Sequence, residues 1–346
     1  MRIVHVIWSM ATGGIETMLV DIVNEQVKSN KVRVYVINDY YNRELLQTID
    51  SGVEVVLCNR RQGSRNPLPL VKFNISLLMY RPDVVHCHDC KLSSIIWLPF
   101  TRVLTIHNTH STSKYYGNYK RLFCISEAVR NHIANQGFHD GIVVYNGIHT
   151  GNIVERTLCH KADNKSIHMV CVGRLHPDKG QRLIIEALRV LKDRHQVTTV
   201  SCDFVGGGAE HSPLENLAIR YGVADNVRFL GIKPRTWIYS HLKDYDLYVM
   251  PSISEGFGLT LAEACAAKVP VLTCDLEGPL EVVGGGRFGN IFKTGDQTSL
   301  ANSIMRLLNN GIDEKMIMEA YDYVKRNFDV SHTAERYLKE YESMLK

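Results

Sequence analysis

The chain has 346 residues, 45% hydrophobic and 22% charged, and its formal net charge is +4 from 40 basic and 36 acidic side chains. That length exceeds the usual single domain and predicts two. The charge is too mild for a nucleic-acid binder, and it does not oppose an anionic substrate or membrane surface.

Nine scattered cysteines (58, 87, 90, 124, 159, 171, 202, 265 and 274) form no disulfide framework and fit a reducing cytosol. The apolar run Ile3 to Trp8 after Arg2 is too short for a signal peptide, and no run of about 18 apolar residues occurs. A cytoplasmic protein is expected.

Short β-branched runs then alternate with amphipathic stretches. In the first half strands are predicted at 3–8, 32–37, 53–58, 83–88, 102–107, 121–126 and 142–146, with helices over 16–27 and 128–136 among the connections. The rhythm stalls over 147–166, which reads as a linker. It resumes with strands at 167–173, 199–206, 227–231, 245–251, 270–274 and 289–292. The pattern is that of two doubly wound α/β domains in tandem. They are placed at 1–160 and 161–330, followed by a helix over about 331–346 that packs on one of them. Ligands of such sheets bind beyond the carboxyl ends of the strands, so the residues after each strand are the site candidates.

Four of these junctions carry chemistry. After the first strand, Gly13 and Gly14 open a helix and permit a close backbone approach to phosphate. In VGRLHPDKG (172–180), Arg174 and Lys179 are spaced to bracket a diphosphate; two solvated cations on a surface loop are the plainer reading. VGGGAEH (205–211) lacks the third glycine of a dinucleotide fingerprint, so Gly206, Gly207 and Gly208 form either a tight turn that admits a flat base or an ordinary loop. In EGFGLTLAE (255–263), the amides of Gly258, Leu259 and Thr260 open a helix and favour an anion. Glu255 and Glu263 flank that position. Carboxylates repel phosphate but accept hydroxyls, which suits a nucleotide diphosphate sugar; they also read as ordinary solvated acids.

HCHDC (86–90) imitates a metal site, but Cys87 and Cys90 have no second pair at zinc spacing. A strand end with His86 and His88 on one face near a cleft is the preferred reading. His107 also ends an apolar strand, which raises it as a site candidate.

Taken in this order, GGIE (13–16), TIH (105–107), NGI (146–148), VGRLHPDKG, VGGG, NVRFLG (226–231), DLYVMPSISEGFGLTLAEA (246–264), EGPLEVV (277–283) and GNIFKTGDQTSLANSIMRLL (289–308) resemble a family 4 glycosyltransferase across nearly the whole chain. The resemblance implies the GT-B fold, two Rossmann-like domains facing a central cleft, with the first domain binding acceptor and the second the donor. It implies a retaining, metal-independent hexosyltransferase that uses a nucleotide diphosphate sugar as co-substrate and no cofactor.

By position, it implies that Glu255 meets sugar hydroxyls, Glu263 the ribose hydroxyls, and Arg174 and Lys179 the diphosphate. Backbone amides of Phe257, Gly258, Leu259 and Thr260 and the Gly13-Gly14 turn would assist. The base would lie near Gly206 to Gly208 and Leu230-Gly231, and His107 near the transferred sugar. His149 stands where the family commonly has an acid, in the crossover. The implied acceptor is a glycan or lipid-linked saccharide in cell-surface polysaccharide biosynthesis. Arg60, Arg61, Arg65 and Lys72 beside Leu68, Leu70, Val71 and Phe73 suit peripheral contact with the inner face of a membrane; a solvated loop before a core helix fits them equally. Rival readings are a nucleotide-sugar 2-epimerase of the same architecture and a non-catalytic nucleotide-sugar-binding protein; the broken glycine fingerprint counts against a nicotinamide dehydrogenase.

Overall fold

A computed structural model describes residues 1–11, 13–158 and 166–345. Cys159 and the expected 160/161 boundary lie outside the described residues. Two compact units emerge: residues 1–148 with 328–346, and residues 149–327.

In the first unit the strands are β1 (Arg2–Ile7), β2 (Lys31–Asn38), β3 (Glu54–Arg60), β4 (Val84–Cys87), β5 (Arg102–Ile106), β6 (Arg121–Cys124) and β7 (Ile142–Val143). They form one parallel sheet in the order β3-β2-β1-β4-β5-β6-β7. Its helices are α1 (Gly14–Gln26), α2 (Arg43–Gln47), α3 (Leu68–Tyr80) and α4 (Glu127–Ala134).

The second unit holds β8 (Ile167–Val172), α5 (Gln181–His195), β9 (Val200–Val205), α6 (His211–Arg220), β10 (Val227–Gly231) and α7 (Arg235–His241). Then follow β11 (Leu247–Met250), α8 (Leu259–Ala266), β12 (Val271–Cys274), α9 (Glu277–Val282), β13 (Asn290–Phe292), α10 (Gln297–Asn310) and α11 (Glu314–Asn327). Its sheet is parallel in the order β10-β9-β8-β11-β12-β13. All thirteen expected strands therefore form.

The central strands are covered on both faces, which is why they read as continuous apolar runs rather than alternating ones: β4, β11 and β12 are buried at every residue. Helices supply the cover, α5 through an apolar stripe and α8 on nearly every side. In α5 that stripe is Leu183, Ile184, Ala187, Leu188 and Leu191, and in the second unit it joins Phe204, Leu214, Leu272 and Ile304 in one core.

The last helix, α12 (Val330–Leu345), belongs to the first unit. Val330, Ala334, Tyr337, Tyr341 and Met344 make its buried stripe, and Tyr337 and Tyr341 pack with Ile3, Met18, Val103 and Phe123. The chain is pinned as it enters α12: the Ile148 amide donates to the Phe328 carbonyl, and the Val330 amide to that of Ile148. Gly147 makes this crossing feasible, because a Cβ there would lie 2.5 Å from the Val330 Cα.

Candidate functional site

In each sheet the strand order reverses beside the first strand, and loops leaving such a switch point are where open α/β sheets bind ligands. In the second unit the reversal falls between β8 and β11. Residues 173–180 leave β8 and residues 251–258 leave β11. The two loops are tied together, since the amide of Ile253 donates to the Asp178 carbonyl at 2.8 Å. A side-chain link joins them as well: Lys179 Nζ donates to Glu255 Oε2 at 2.6 Å. The expected phosphate-binding lysine and hydroxyl-binding glutamate thus neutralise each other. Arg174 is exposed and makes no ion pair among the described residues; its carbonyl accepts from Gln181 Nε2 at 3.0 Å.

Gly258 is the N-cap of α8, at φ 111°, a left-handed conformation that favours glycine. The Leu261 and Ala262 amides bond back to the Gly258 carbonyl, so the Leu259 and Thr260 amides precede the first intrahelical bonds and point out of the helix end. The Thr260 hydroxyl is occupied by the fold, with Tyr248 Oη at 2.6 Å and the Val172 carbonyl at 3.4 Å. What Thr260 retains for an anion is its amide. Phe257 is a core residue. Glu263 is buried inside α8, and Arg235 Nε lies 3.5 Å from its Oε1.

Gly206 and Gly208 follow β9. A Cβ on Gly206 would stand 2.0 Å from the Gly173 carbonyl oxygen, and one on Gly208 2.2 Å from that of Leu175. These glycines let the 205–211 loop lie against the 173–180 loop. Over Gly207, Ile232 closes in to 2.9 Å of where a Cβ would stand, whereas Gly231 has open space around it. The Gly206 amide donates to the Gly231 carbonyl at 2.9 Å, which keeps Leu230-Gly231 beside this loop.

In the first unit the reversal falls between β1 and β4. Gly13 and Gly14 start α1 after β1, but the Glu16 carboxylate folds over them: a Cβ on Gly13 would be 2.5 Å from its Oε2. Phosphate approaching this helix start would meet a carboxylate first.

His88 follows β4 and His107 follows β5. Four imidazoles gather here. His5 Nδ1 lies 3.0 Å from His88 Nε2, and His88 Nδ1 lies 3.2 Å from His107 Nε2. At the inner end, Gln26 Oε1 accepts from His5 Nε2 at 2.8 Å. His86 stacks on His88 with centroids 4.6 Å apart, as their shared strand face requires. It is not near a cleft, however: it is wholly buried, bonded to the Tyr341 and Thr105 hydroxyls, because α12 returns to cover that part of the sheet. Burial pushes all four imidazoles down, His5 to about 4 and His107 to about 3, so they are neutral at pH 7. The ring nitrogens of His5, His86 and His88 come within 4.8 Å of one another, as metal ligands would, yet each of these three rings has both nitrogens engaged in hydrogen bonds.

Sequence reasoning missed Arg235, His5 and Gln26. Nothing in the sequence marks Arg235, whose carboxylate partner is 28 positions away. His5 did carry a signal, as a polar residue inside an apolar parallel strand, which must find a buried partner.

Residues 12–152 match the Glycosyltransferase Family 4 model, and residues 159–323 match Glycosyl transferases group 1. The uncharacterized glycosyltransferase MJ1178 of Methanocaldococcus jannaschii is 23% identical over 246 residues, covering 66% of this chain and 66% of that protein. A phosphatidyl-myo-inositol mannosyltransferase of Mycobacterium leprae is 26% identical over 207 residues, covering 59% of this chain and 54% of that protein. The chain thus spans somewhat over half to just under two thirds of the length of these curated relatives. Among solved structures, Anabaena Alr3699/HepE in complex with UDP and glucose superposes with a TM-score of 0.81 at 21% identity, covering 99% of both chains. That likeness establishes the fold.

Proposed function

Because the chain belongs to the family 4 glycosyltransferases and has their GT-B fold, we propose that it moves a sugar from a nucleotide diphosphate sugar to a glycan or lipid-linked acceptor, with retention and without a metal ion. The observation that carries this reading is the Lys179–Glu255 pair between the two switch-point loops of the second unit. An arriving diphosphate draws Lys179 away from Glu255 and joins it to Arg174 and the amides at the start of α8. Glu255, released, accepts hydroxyls of the sugar. Glu263, oriented by Arg235, accepts the ribose hydroxyls.

The acceptor oxygen bonds to the anomeric carbon as the bond to the diphosphate breaks. The acceptor proton passes to the departing phosphate on the same face, leaving a nucleoside diphosphate and a glycoside. Arg174, Lys179 and the helix end stabilise the charge that develops on the leaving group. Incubation with a panel of nucleotide sugars tests this. One donor should raise the melting temperature and be consumed only with acceptor, at a rate unchanged by saturating chelator. Absence of both binding and turnover across the panel would overturn the reading, whereas donor consumption that releases free sugar or an epimer without acceptor would favour the epimerase. Rescue of a chelated enzyme by Mg2+ or Mn2+ would refute metal independence.

The acceptor is proposed to lie at an anionic membrane surface, which α3 would meet. Leu68, Lys72, Ile75 and Met79 form one exposed stripe on α3, with Leu78 beside it. Trp97, also exposed, is held to this helix by its amide, which donates to Asn74 Oδ1. Among the described residues no helix is long and apolar enough to cross a membrane. Phe73, expected at the surface, is buried, so the exposed apolar set differs from the one anticipated. Arg60 is tied to Asn38 and to the Ser64 carbonyl, whereas Arg61 and Arg65 are exposed. Apolar side chains rimmed by cations suit an anionic bilayer, at about 1 kcal/mol per cation. Cosedimentation with anionic vesicles should be salt-sensitive and fall when Arg61, Arg65 and Lys72 become Gln; equal recovery with neutral vesicles at low salt would argue for a soluble acceptor.

A further inference from the structure

We infer that Gln26, His5 and His88 act as positioning residues that fix the tautomer of His107, leaving its Nδ1 as a bare hydrogen-bond acceptor for a sugar hydroxyl. The inference rests on the glycosyltransferase reading only in naming that hydroxyl as the ligand.

Gln26 Oε1 can only accept, so His5 Nε2 carries the proton of their 2.8 Å bond. A neutral imidazole has one N–H, so His5 Nδ1 accepts from His88 Nε2 at 3.0 Å. By the same count His88 Nδ1 accepts from His107 Nε2 at 3.2 Å. His107 thus carries its proton on Nε2, and its Nδ1 makes no hydrogen bond to the described residues. Burial keeps every ring neutral, so the polarity set at Gln26 propagates without a break. A zinc ion at His5, His86 and His88 would have to break several of these bonds.

A bare imidazole nitrogen takes a hydroxyl and rejects carbonyl and phosphate oxygens, which can only accept. The hydrogen-bonded chain thus selects for a polyol face of the substrate.

The test reads tautomers directly. In the whole chain labelled with 15N at histidine, two-bond proton–nitrogen spectra without any donor should show His107, identified by its loss in His107→Gln, protonated at Nε2 and bare at Nδ1. Gln26→Met removes the terminal acceptor. It should bring the opposite tautomer of His107 into the spectrum and lower kcat about tenfold, with donor KM within about twofold. A wild-type His107 protonated at Nδ1, an unchanged tautomer in Gln26→Met, or one equivalent of zinc bound to the histidines would overturn the inference. Should Gln26→Met fail to fold, the wild-type spectrum still decides. Because that spectrum needs no substrate, its failure is distinct from failure to turn over any nucleotide sugar.

Discussion

The two units solve the same topological problem with opposite chemistry. Each sheet reverses its order beside its first strand, at β1/β4 in one and β8/β11 in the other. In the first unit the switch point carries neutral rings joined nitrogen to nitrogen, from His5 inside the sheet to half-buried His107 at a strand end, beside the Glu16 carboxylate. In the second it is lined by charged side chains on loops whose backbones touch through glycine. On this reading topology sets where a ligand would bind, and the residues at the strand ends set what kind it would be. Neutral acceptors suit hydroxyls; cations and helix amides suit phosphate.

The contrast can be broken most severely at Gly206. Alanine there would place a Cβ against the Gly173 carbonyl, at a φ of 146° that side chains rarely adopt. Gly206→Ala should cost roughly 3–5 kcal/mol of stability in the second unit. Denaturant unfolding indistinguishable from the parent would mean that the loop contact is dispensable.

Arg174→Ala tests function without structure. The side chain is exposed and unpaired among the described residues, so folding should hold while ~2–4 kcal/mol of transition-state stabilisation disappears. Parent-like kcat/KM with a competent donor would remove Arg174 from the site.

Acid should separate the units by a smaller margin. His5 and His107 are held at about 4 and about 3, below the ordinary histidine value of about 6.5 in an unfolded chain. Between those limits the unfolded chain binds protons that the folded first unit refuses, so its stability declines as pH falls from 6.5 towards 4. Asp203, buried in the second unit, behaves differently. Although burial opposes its charge, bonds from His168, Arg228 and Tyr245 hold it down to about 2. Its contribution is present above the ordinary 3.8 and is lost only as pH falls from there through 2. Hydrogen exchange at pH 5 should show faster opening in the first unit. Equal acceleration in both would contradict the assignment of acid lability to the histidines.

The strands were legible because buried parallel strands leave continuous β-branched runs, as in 32–37 and 167–173. The junction residues followed once strand ends were known, and 172–180 and 255–263 do meet through Lys179 and Glu255. The burial of His86 was not legible, because it depends on α12, more than two hundred residues away, returning to the first sheet. Nor was the occupation of the Gly13 turn by Glu16, since spacing alone does not tell which way a side chain folds.

By itself, then, the sequence determined the periodicities, and with them two parallel sheets and the residue types at their strand ends, whereas the strand order that makes the switch points is seen only in the folded sheets. Those properties are local, encoded in runs of four to nine residues. Only the tertiary structure decided that Lys179 and Glu255 hold each other, that Arg235 holds Glu263, and that three histidines become one neutral hydrogen-bonded chain with a fourth stacked on it. Such partners come from separate elements, and burial, which sets both their pairing and their charge, exists only once those elements have packed.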